Sequence, residues 1–208
     1  MDWSFRNNWD EFEWEKEIRK DELRIARYFK TLTGCLDLPG EDDMIFRRLM
    51  EQPELVPSGV RDPHRISMFD FENNDDEDFT DDSRSRRRNA FEGLRRLENL
   101  AAEWNLLVAS SLDERFFPQA LAITCAFGKL LSRILNFSDV EDASDTRTLR
   151  ISLVKRILAD INELCLRLEE FKTLDALPAH VFPRFFEQMT FFREAALDVL
   201  HQLRSRSE

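Results

Sequence analysis

Two unbroken apolar stripes near the end of the sequence constrain the fold more than any other feature. In each stripe, apolar residues recur at alternating intervals of four and three, which places them on one face of an α-helix. The first stripe is Val154, Ile157, Ile161, Leu164, Leu168 and Phe171, and the second is Phe182, Phe185, Met189, Phe192, Ala196, Val199 and Leu203. Each predicted helix would be roughly 35–42 Å long at 1.5 Å per residue. Because only residues 174–178 separate them, we expect the two helices to be antiparallel neighbours.

Two further helices are predicted before this pair. The first ends near Ser111 after a four-three repeat that includes Leu97 and Trp104, and the second spans about residues 115–137. Pro118 suits the first turn of that second helix, where its missing N–H costs nothing. Past its start this helix has only two charges, Lys129 and Arg133, so we expect it to be central and covered on several sides.

The N-terminal part of the chain predicts one long and one short helix. The long helix spans about residues 7–33, and Gly34 is expected to end it in a left-handed conformation. The short helix follows Gly40 and is stopped by Pro53. The predicted fold is therefore all-α: an up-down four-helix bundle core with an additional long N-terminal helix and one short helix.

The domain organisation follows from these elements. Residues 1–52 form an N-terminal helical segment that packs on the core, residues 53–82 form a Pro-containing acidic loop, and residues 83–208 form the four-helix bundle. We expect the three parts to make one structural domain.

The charge of the chain bears on its partners. The formal net charge is −11, which repels phosphate backbones and anionic lipid, so neither nucleic acid nor a membrane is expected as a partner, whereas a basic protein would suit this surface. The run without charge at residues 116–128 is too short to span a bilayer. Three widely spaced cysteines and no basic or apolar leader at the start predict a cytoplasmic protein.

Aromatic residues in two segments are candidate partner-binding residues, because large aromatics are enriched where proteins bind each other. They are Trp3, Phe5, Trp9 and Phe12 near the N-terminus, and Phe69, Phe71 and Phe79 within the acidic loop. The alternative is that the N-terminal aromatics pack on the chain's own bundle.

The sequence holds no catalytic, metal-binding or cofactor-binding motif, and no cofactor is predicted. A weak alternative ligand site consists of Lys129, Arg133, Asp198 and His201. Lys129 and Arg133 are four residues apart and repel each other, so they either face solvent or share an anionic partner, which is a carboxylate from a neighbouring helix or an anionic ligand. Asp160 is expected on a solvated face.

The three cysteines are not predicted to be catalytic. Cys125 and Cys165 adjoin apolar residues and are expected to be small buried core residues, whereas Cys35 follows the helix-ending Gly34 and is expected to be exposed.

The leading functional hypothesis is a non-enzymatic protein–protein interaction module, such as an adaptor, a regulator or an inhibitor of a basic partner. The alternative is a helical-bundle enzyme or small-anion binder with a site near Lys129 and Arg133. The apolar stripes could also serve between chains, so a homodimer through helix faces is a further possibility.

Overall fold

The computed structural model describes residues 9–32, 34–35, 40–56 and 93–205. Of these residues 84% are helical and none forms a strand, which confirms the all-α class. The six helices are α1 (Glu11–Leu32), α2 (Glu41–Met50), α3 (Leu94–Ser111), α4 (Phe117–Asp139), α5 (Arg147–Lys172) and α6 (Phe182–Ser205). Short 3-10 turns occupy Pro53–Leu55, Glu114–Phe116 and Ala179–Val181.

The chain divides into two compact units, Met1–Phe79 and Thr80–Glu208. In the first unit, α1 packs against α2 and against the turn at Pro53–Leu55. The core of this unit consists of Cys35, Ile45, Leu49, Met50 and Leu55, with Tyr28, Leu32 and Phe46 packed against it. The expected packing of the N-terminal segment on the bundle stays a prediction.

Charged side chains of α1 hold the turn that follows α2. Lys20 Nζ donates to the Val56 carbonyl at 3.1 Å, and Arg24 Nε donates to the Leu55 carbonyl at 2.6 Å. The Glu17 carboxylate is only 3% exposed and accepts from Arg24 Nη2 at 2.5 Å. The buried carboxylate thereby aligns the guanidinium that holds the backbone of the turn.

The two glycines near the start of α2 differ from expectation. Gly34 was expected to be left-handed, but its N–H instead bonds to the Thr31 carbonyl at 3.0 Å in a tight turn, and Gly40 is the positive-φ glycine of the described residues. Gly40 has φ 70° and precedes α2 directly. The left-handed residue therefore begins the second helix and does not end the first.

In the second unit, α4 begins as expected, with Pro118 in its first turn. The centre of this unit is aromatic. Trp104 is completely buried, and its indole N–H donates to the Ala120 carbonyl at 3.3 Å. The Phe171 and Phe185 rings lie edge-on to Trp104, with ring centroids 5.4 and 5.8 Å away. One tryptophan therefore contacts three other helices of the unit.

Contacts between helices give their directions. Arg133 of α4 pairs with Asp160 of α5, and Phe137, further along α4, contacts Arg150 near the start of α5. Residue numbers therefore rise along α4 as they fall along α5, so the two helices are antiparallel. Arg147 at the start of α5 donates to the Leu203 carbonyl near the end of α6 at 2.7 Å, so α5 and α6 are antiparallel as expected.

Helix α3 contacts the last helix as well as the next one. Glu103 forms an ion pair with Arg184 of α6 at 3.0 Å, and the Arg96 guanidinium lies 4.4 Å from the centre of the Phe191 ring. Both contacts join α3 to α6, while the Trp104 hydrogen bond joins α3 to α4.

Helix α4 is not covered on several sides, contrary to the expectation from its composition. Phe117 is 45% exposed, Leu121 60% and Leu135 42%. Its inner face, which includes Ile123, Phe127 and Leu130, is buried. A helix with few charges can thus leave apolar side chains such as Leu121 and Leu135 exposed to solvent on its outer side.

Length and apolar composition also make this helix the one span in the described residues that could cross a membrane. The span is Glu114–Asp139, and 44% of its most apolar window is buried inside the protein. A core helix of a globular protein meets the same criterion, so this observation is weak evidence for membrane insertion.

Candidate functional site

An ion-pair cluster between α4 and α5 contains the two cations that the sequence singles out. Arg133 Nε donates to Asp160 Oδ2 at 2.6 Å, and Lys129 Nζ lies 2.9 Å from Asp160 Oδ1. Asp160 was expected on a solvated face, but it is 3% exposed. The reason is that α4 places two cations against this part of α5, so the carboxylate is buried with its charge matched.

The outer edge of this cluster is half-exposed. Lys129 Nζ also lies 3.3 Å from Glu163 Oε2, and Arg167 Nη2 donates to Glu163 Oε1 at 2.8 Å. The hydrogen bond from Arg167, together with the charge of Lys129, lowers the pKa of Glu163 despite its partial burial. Any anionic ligand at Lys129 or Arg133 would therefore compete with two resident carboxylates.

The other two members of the weak alternative site, Asp198 and His201, both lie exposed on α6. Their spacing of three residues places them on one side of that helix. Across residues 9–32, 34–35, 40–56 and 93–205, the structure contains no group of three His, Cys, Asp or Glu residues that could hold a metal ion.

The described N-terminal aromatics differ in their surroundings. Trp14 is 4% exposed, and the half-buried Trp9 contacts it edge-on, with ring centroids 4.9 Å apart. Phe12 is 74% exposed. Trp3 and Phe5 near the N-terminus, like Phe69, Phe71 and Phe79 of the acidic segment, lie outside the described residues. Among the predicted partner-binding aromatics that the structure describes, Phe12 is the exposed one.

Phe12 belongs to a surface on α1. About three helical turns later, Leu23 lies on the same side of α1 and is 39% exposed. We call Phe12 and Leu23 the α1 row. A shallow depression along this side is lined by Phe12, Glu15, Lys16, Arg19, Lys20 and Leu23. The α1 row therefore consists of two apolar side chains separated by charged ones.

A second exposed surface lies on α4 and was not foreseen from the sequence. We call it the α4 outer row, and it consists of Leu121, Cys125, Gly128, Ser132 and Leu135. All five residues are exposed. The row repeats at intervals of four and three, a signal that the sequence contains but that the stronger buried stripe of the same helix obscured.

The three thiols are arranged differently from the prediction. Cys35 was expected to be exposed but is 1% exposed in the core of the first unit, because α2 folds over it. Cys125 was expected to be buried but lies exposed in the α4 outer row, and Cys165 is only half-buried. Desolvation raises the pKa of the Cys165 thiol. None of the three forms a disulfide.

Comparison with known proteins adds no family to this description. No protein-family model matches the chain, and no match was found among curated proteins or among solved structures. The described part of the chain is an all-α protein with an ion-pair cluster between α4 and α5 and with exposed large apolar side chains on α1 and α4.

Proposed function

We propose that this chain is a non-enzymatic protein–protein interaction module that acts in the cytoplasm as an adaptor, a regulator or an inhibitor of a basic partner. We propose further that α3 to α6 form an up-down four-helix bundle that serves as its scaffold. The contacts of α3 with both α4 and α6 support such a closed arrangement.

The observation that carries the functional proposal is the exposure of Phe12. Phenylalanine is among the residue types most often buried, yet 74% of Phe12 is accessible to solvent. Its neighbours Trp9 and Trp14 are used in packing within the chain. An amphipathic helix with apolar anchors on one side can lie in the groove of a partner protein, and Phe12 and Leu23 provide such anchors on α1.

The net charge of −11 supports a basic partner. Long-range attraction between oppositely charged proteins accelerates their encounter and weakens as salt is added. In this proposal the negative charge of the chain attracts the basic partner over a distance. The α1 row then provides an apolar contact, which is less sensitive to salt than the electrostatic attraction.

The alternative function, an enzyme or small-anion binder near Lys129 and Arg133, has less support. Asp160 forms ion pairs with both Lys129 and Arg133. Its negative charge would repel an incoming anion. An anion could bind there only by displacing carboxylates that already neutralise the site.

Capture of partners with the 208-residue chain tests the proposal. The variant Phe12→Glu removes the larger anchor, and an acidic residue near a helix N-terminus is compatible with the helix dipole, so folding is retained. The matched control is Ile25→Glu, because Ile25 is 58% exposed on another face of the same helix.

We expect the wild-type chain and the Ile25→Glu variant to retain the same basic proteins at low salt, and Phe12→Glu to lose them. Quantitative mass spectrometry of the retained proteins measures this difference. Equal capture by all three chains, or no specific capture by the wild type at any salt concentration, would contradict the proposal.

A further inference from the structure

We infer that α1 binds an acidic, extended segment of the partner protein through a basic face built around the α1 row. This inference rests on the proposed function, because it assigns the chemistry of the partner at the same surface. We call this surface the α1 basic face. Its six residues follow one another along α1 at intervals of three or four, and they are Phe12, Lys16, Arg19, Leu23, Arg27 and Lys30. All six are exposed in the structure of this chain, so a second molecule can reach them.

The charge of the α1 basic face is opposite to the net charge of the chain. Four of its six residues are cations and none is an acid, although α1 as a whole has six acidic and six basic residues. Much of the net charge of −11 comes from residues 70–82, which include eight Asp or Glu residues and no Lys or Arg. The side of α1 that carries Phe12 and Leu23 therefore attracts an acidic segment, even where the partner as a whole is basic.

The cations of the α1 basic face are incompletely neutralised within the described residues. Arg19 pairs with Glu15 at the edge of the face, with Nε and Oε1 3.0 Å apart. Lys16 and Arg27 form no ion pair with another described residue. Lys16 precedes Arg19 by three residues, a spacing at which like charges on a helix repel each other. A carboxylate of a partner, placed between these two cations, would relieve that repulsion.

The spacing of the two apolar residues sets the form of the bound segment. Phe12 and Leu23 are eleven residues apart, which is about 16 Å along the helix. An acidic segment repels itself and is therefore extended, and an extended chain covers that distance in about five residues. The segment therefore has two large apolar side chains about five residues apart, with carboxylates between and beyond them.

A protein segment fits this face better than an anionic lipid surface or a nucleic acid does. Helices that lie in a membrane interface bury a broad apolar side, whereas here cations separate the two apolar residues. Lipid surfaces and nucleic acids are also extended arrays of phosphates, so they would meet much of a chain whose net charge is −11. A short acidic segment can contact the α1 basic face alone.

Fluorescence anisotropy of the 208-residue chain with labelled peptides tests the inference. The probe is a fluorescein-labelled peptide of about fifteen residues, made of aspartate, glutamate and serine with two phenylalanines about five residues apart. One reference peptide replaces every acidic residue with lysine, and the other replaces both phenylalanines with serine. We expect saturable binding of the probe below about 1 mM, and binding at least about tenfold weaker for each reference peptide.

Variants of the chain locate the binding surface. Lys16→Gln combined with Arg27→Gln removes two cations of the face and introduces residues that favour helix. The matched control, Arg47→Gln combined with Arg193→Gln, changes the net charge equally at exposed positions outside α1. The first double variant should bind the probe at least about tenfold more weakly than the wild type, and the control should bind it equally well. Added salt should weaken binding to the wild type more than binding to the first variant.

Three results with the peptides would overturn the inference: no saturable binding of the probe, equal binding of the lysine peptide, or equal losses in the two double variants. Flotation with phosphatidylcholine–phosphatidylserine vesicles, or binding of a labelled oligothymidylate, would overturn it if either depended on Lys16 and Arg27. Replacing the acidic residues of 70–82 with their amides tests the remaining occupant. If that variant bound the probe at least about tenfold more tightly than the wild type, the face would belong to the chain's own acidic segment.

Two outcomes separate this inference from the proposed function. If Phe12→Glu loses the captured basic proteins but the acidic probe does not bind, the interaction function stands and the acidic segment is overturned. If the probe binds through Lys16 and Arg27 but Phe12→Glu retains every captured protein, the proposed function fails, because the captured proteins do not use α1, and the binding of an acidic segment stands.

Discussion

Arg133 and Asp160 form a buried ion pair that joins α4 to α5, with Nε and Oδ2 2.6 Å apart and side chains 9% and 3% exposed. Both charges are largely removed from water, so each depends on the other for its stabilisation, and Asp160 is further stabilised by Lys129. Replacing one member of the pair should therefore lower the free energy of unfolding more than a mutation of the same type on the surface does.

Asp160→Asn should lower the free energy of unfolding by about 3 kcal/mol, because it removes the buried carboxylate charge that Arg133 and Lys129 share. Asp198→Asn is the matched control, since Asp198 lies exposed on α6, and its effect should stay within about 0.5 kcal/mol. Urea unfolding followed by circular dichroism measures both. Similar midpoints for the two variants would mean that the pair contributes little.

The stability contributed by Glu163 should depend on pH. Because its pKa is lowered in the folded state, chiefly by the Arg167 hydrogen bond, the ionised carboxylate stabilises the fold above the ordinary glutamate pKa. This contribution is lost as the pH falls through the ordinary range to the lowered folded value. Since Glu163 is 40% exposed, we expect less than about 1 kcal/mol.

The measurement is the difference in unfolding free energy between the wild type and Glu163→Gln as a function of pH. The wild type should be the more stable at neutral pH, and the difference should shrink on acidification. A difference that stays constant, or grows as the pH falls, would contradict the assigned cause.

The three thiols should react with iodoacetamide in the order Cys125, Cys165, Cys35. Cys125 is exposed, Cys165 is half-buried with a raised pKa, and Cys35 is 1% exposed. Because the thiolate is the reactive form, both burial and a raised pKa slow the reaction. Time-resolved alkylation read by peptide mass spectrometry gives the order. Early labelling of Cys35 would show that α2 does not protect it.

Trp104→Ala should lower the free energy of unfolding by about 3–5 kcal/mol, because it opens a cavity against Phe171 and Phe185. Leu106→Ala provides a control two residues away on α3. Leu106 is 71% exposed, so its truncation should change stability by less than about 0.5 kcal/mol. The two thermal unfolding midpoints test this contrast, and equal losses would contradict the central position of Trp104.

The sequence predicted the position and the buried face of a helix well where the helix has a single apolar stripe. The stripes of α5 and α6 are buried from Val154 to Leu203 almost throughout, and residues 173–181, a somewhat longer link than the predicted 174–178, separate the two helices. Periodicity identifies a helix and its inner face, because those properties depend only on spacing along one chain.

Properties that depend on a second element were predicted poorly. Asp160 is buried because Lys129 and Arg133 of a different helix lie opposite it, and Cys35 is buried because α2 covers it. The exposure of Leu121 and Cys125 similarly depends on which sides of α4 have neighbours. Spacing in the sequence does not give the register between two helices. The sequence could therefore group Lys129 with Arg133 and suggest a carboxylate from a neighbouring helix, but it could not identify that carboxylate as Asp160.

The hydrogen bonds that attach the turn at Pro53–Leu55 to α1 constrain the sequences of the two segments unequally. Lys20 and Arg24 donate hydrogen bonds to the backbone carbonyl oxygens of Val56 and Leu55, respectively. Every amino acid has such a carbonyl oxygen. This contact therefore places no constraint on the side chain at position 56. It does require the charged side chains at positions 17, 20 and 24. Among diverging copies of this gene, we expect residue 56 to vary while the three charged positions of α1 change together or remain as they are.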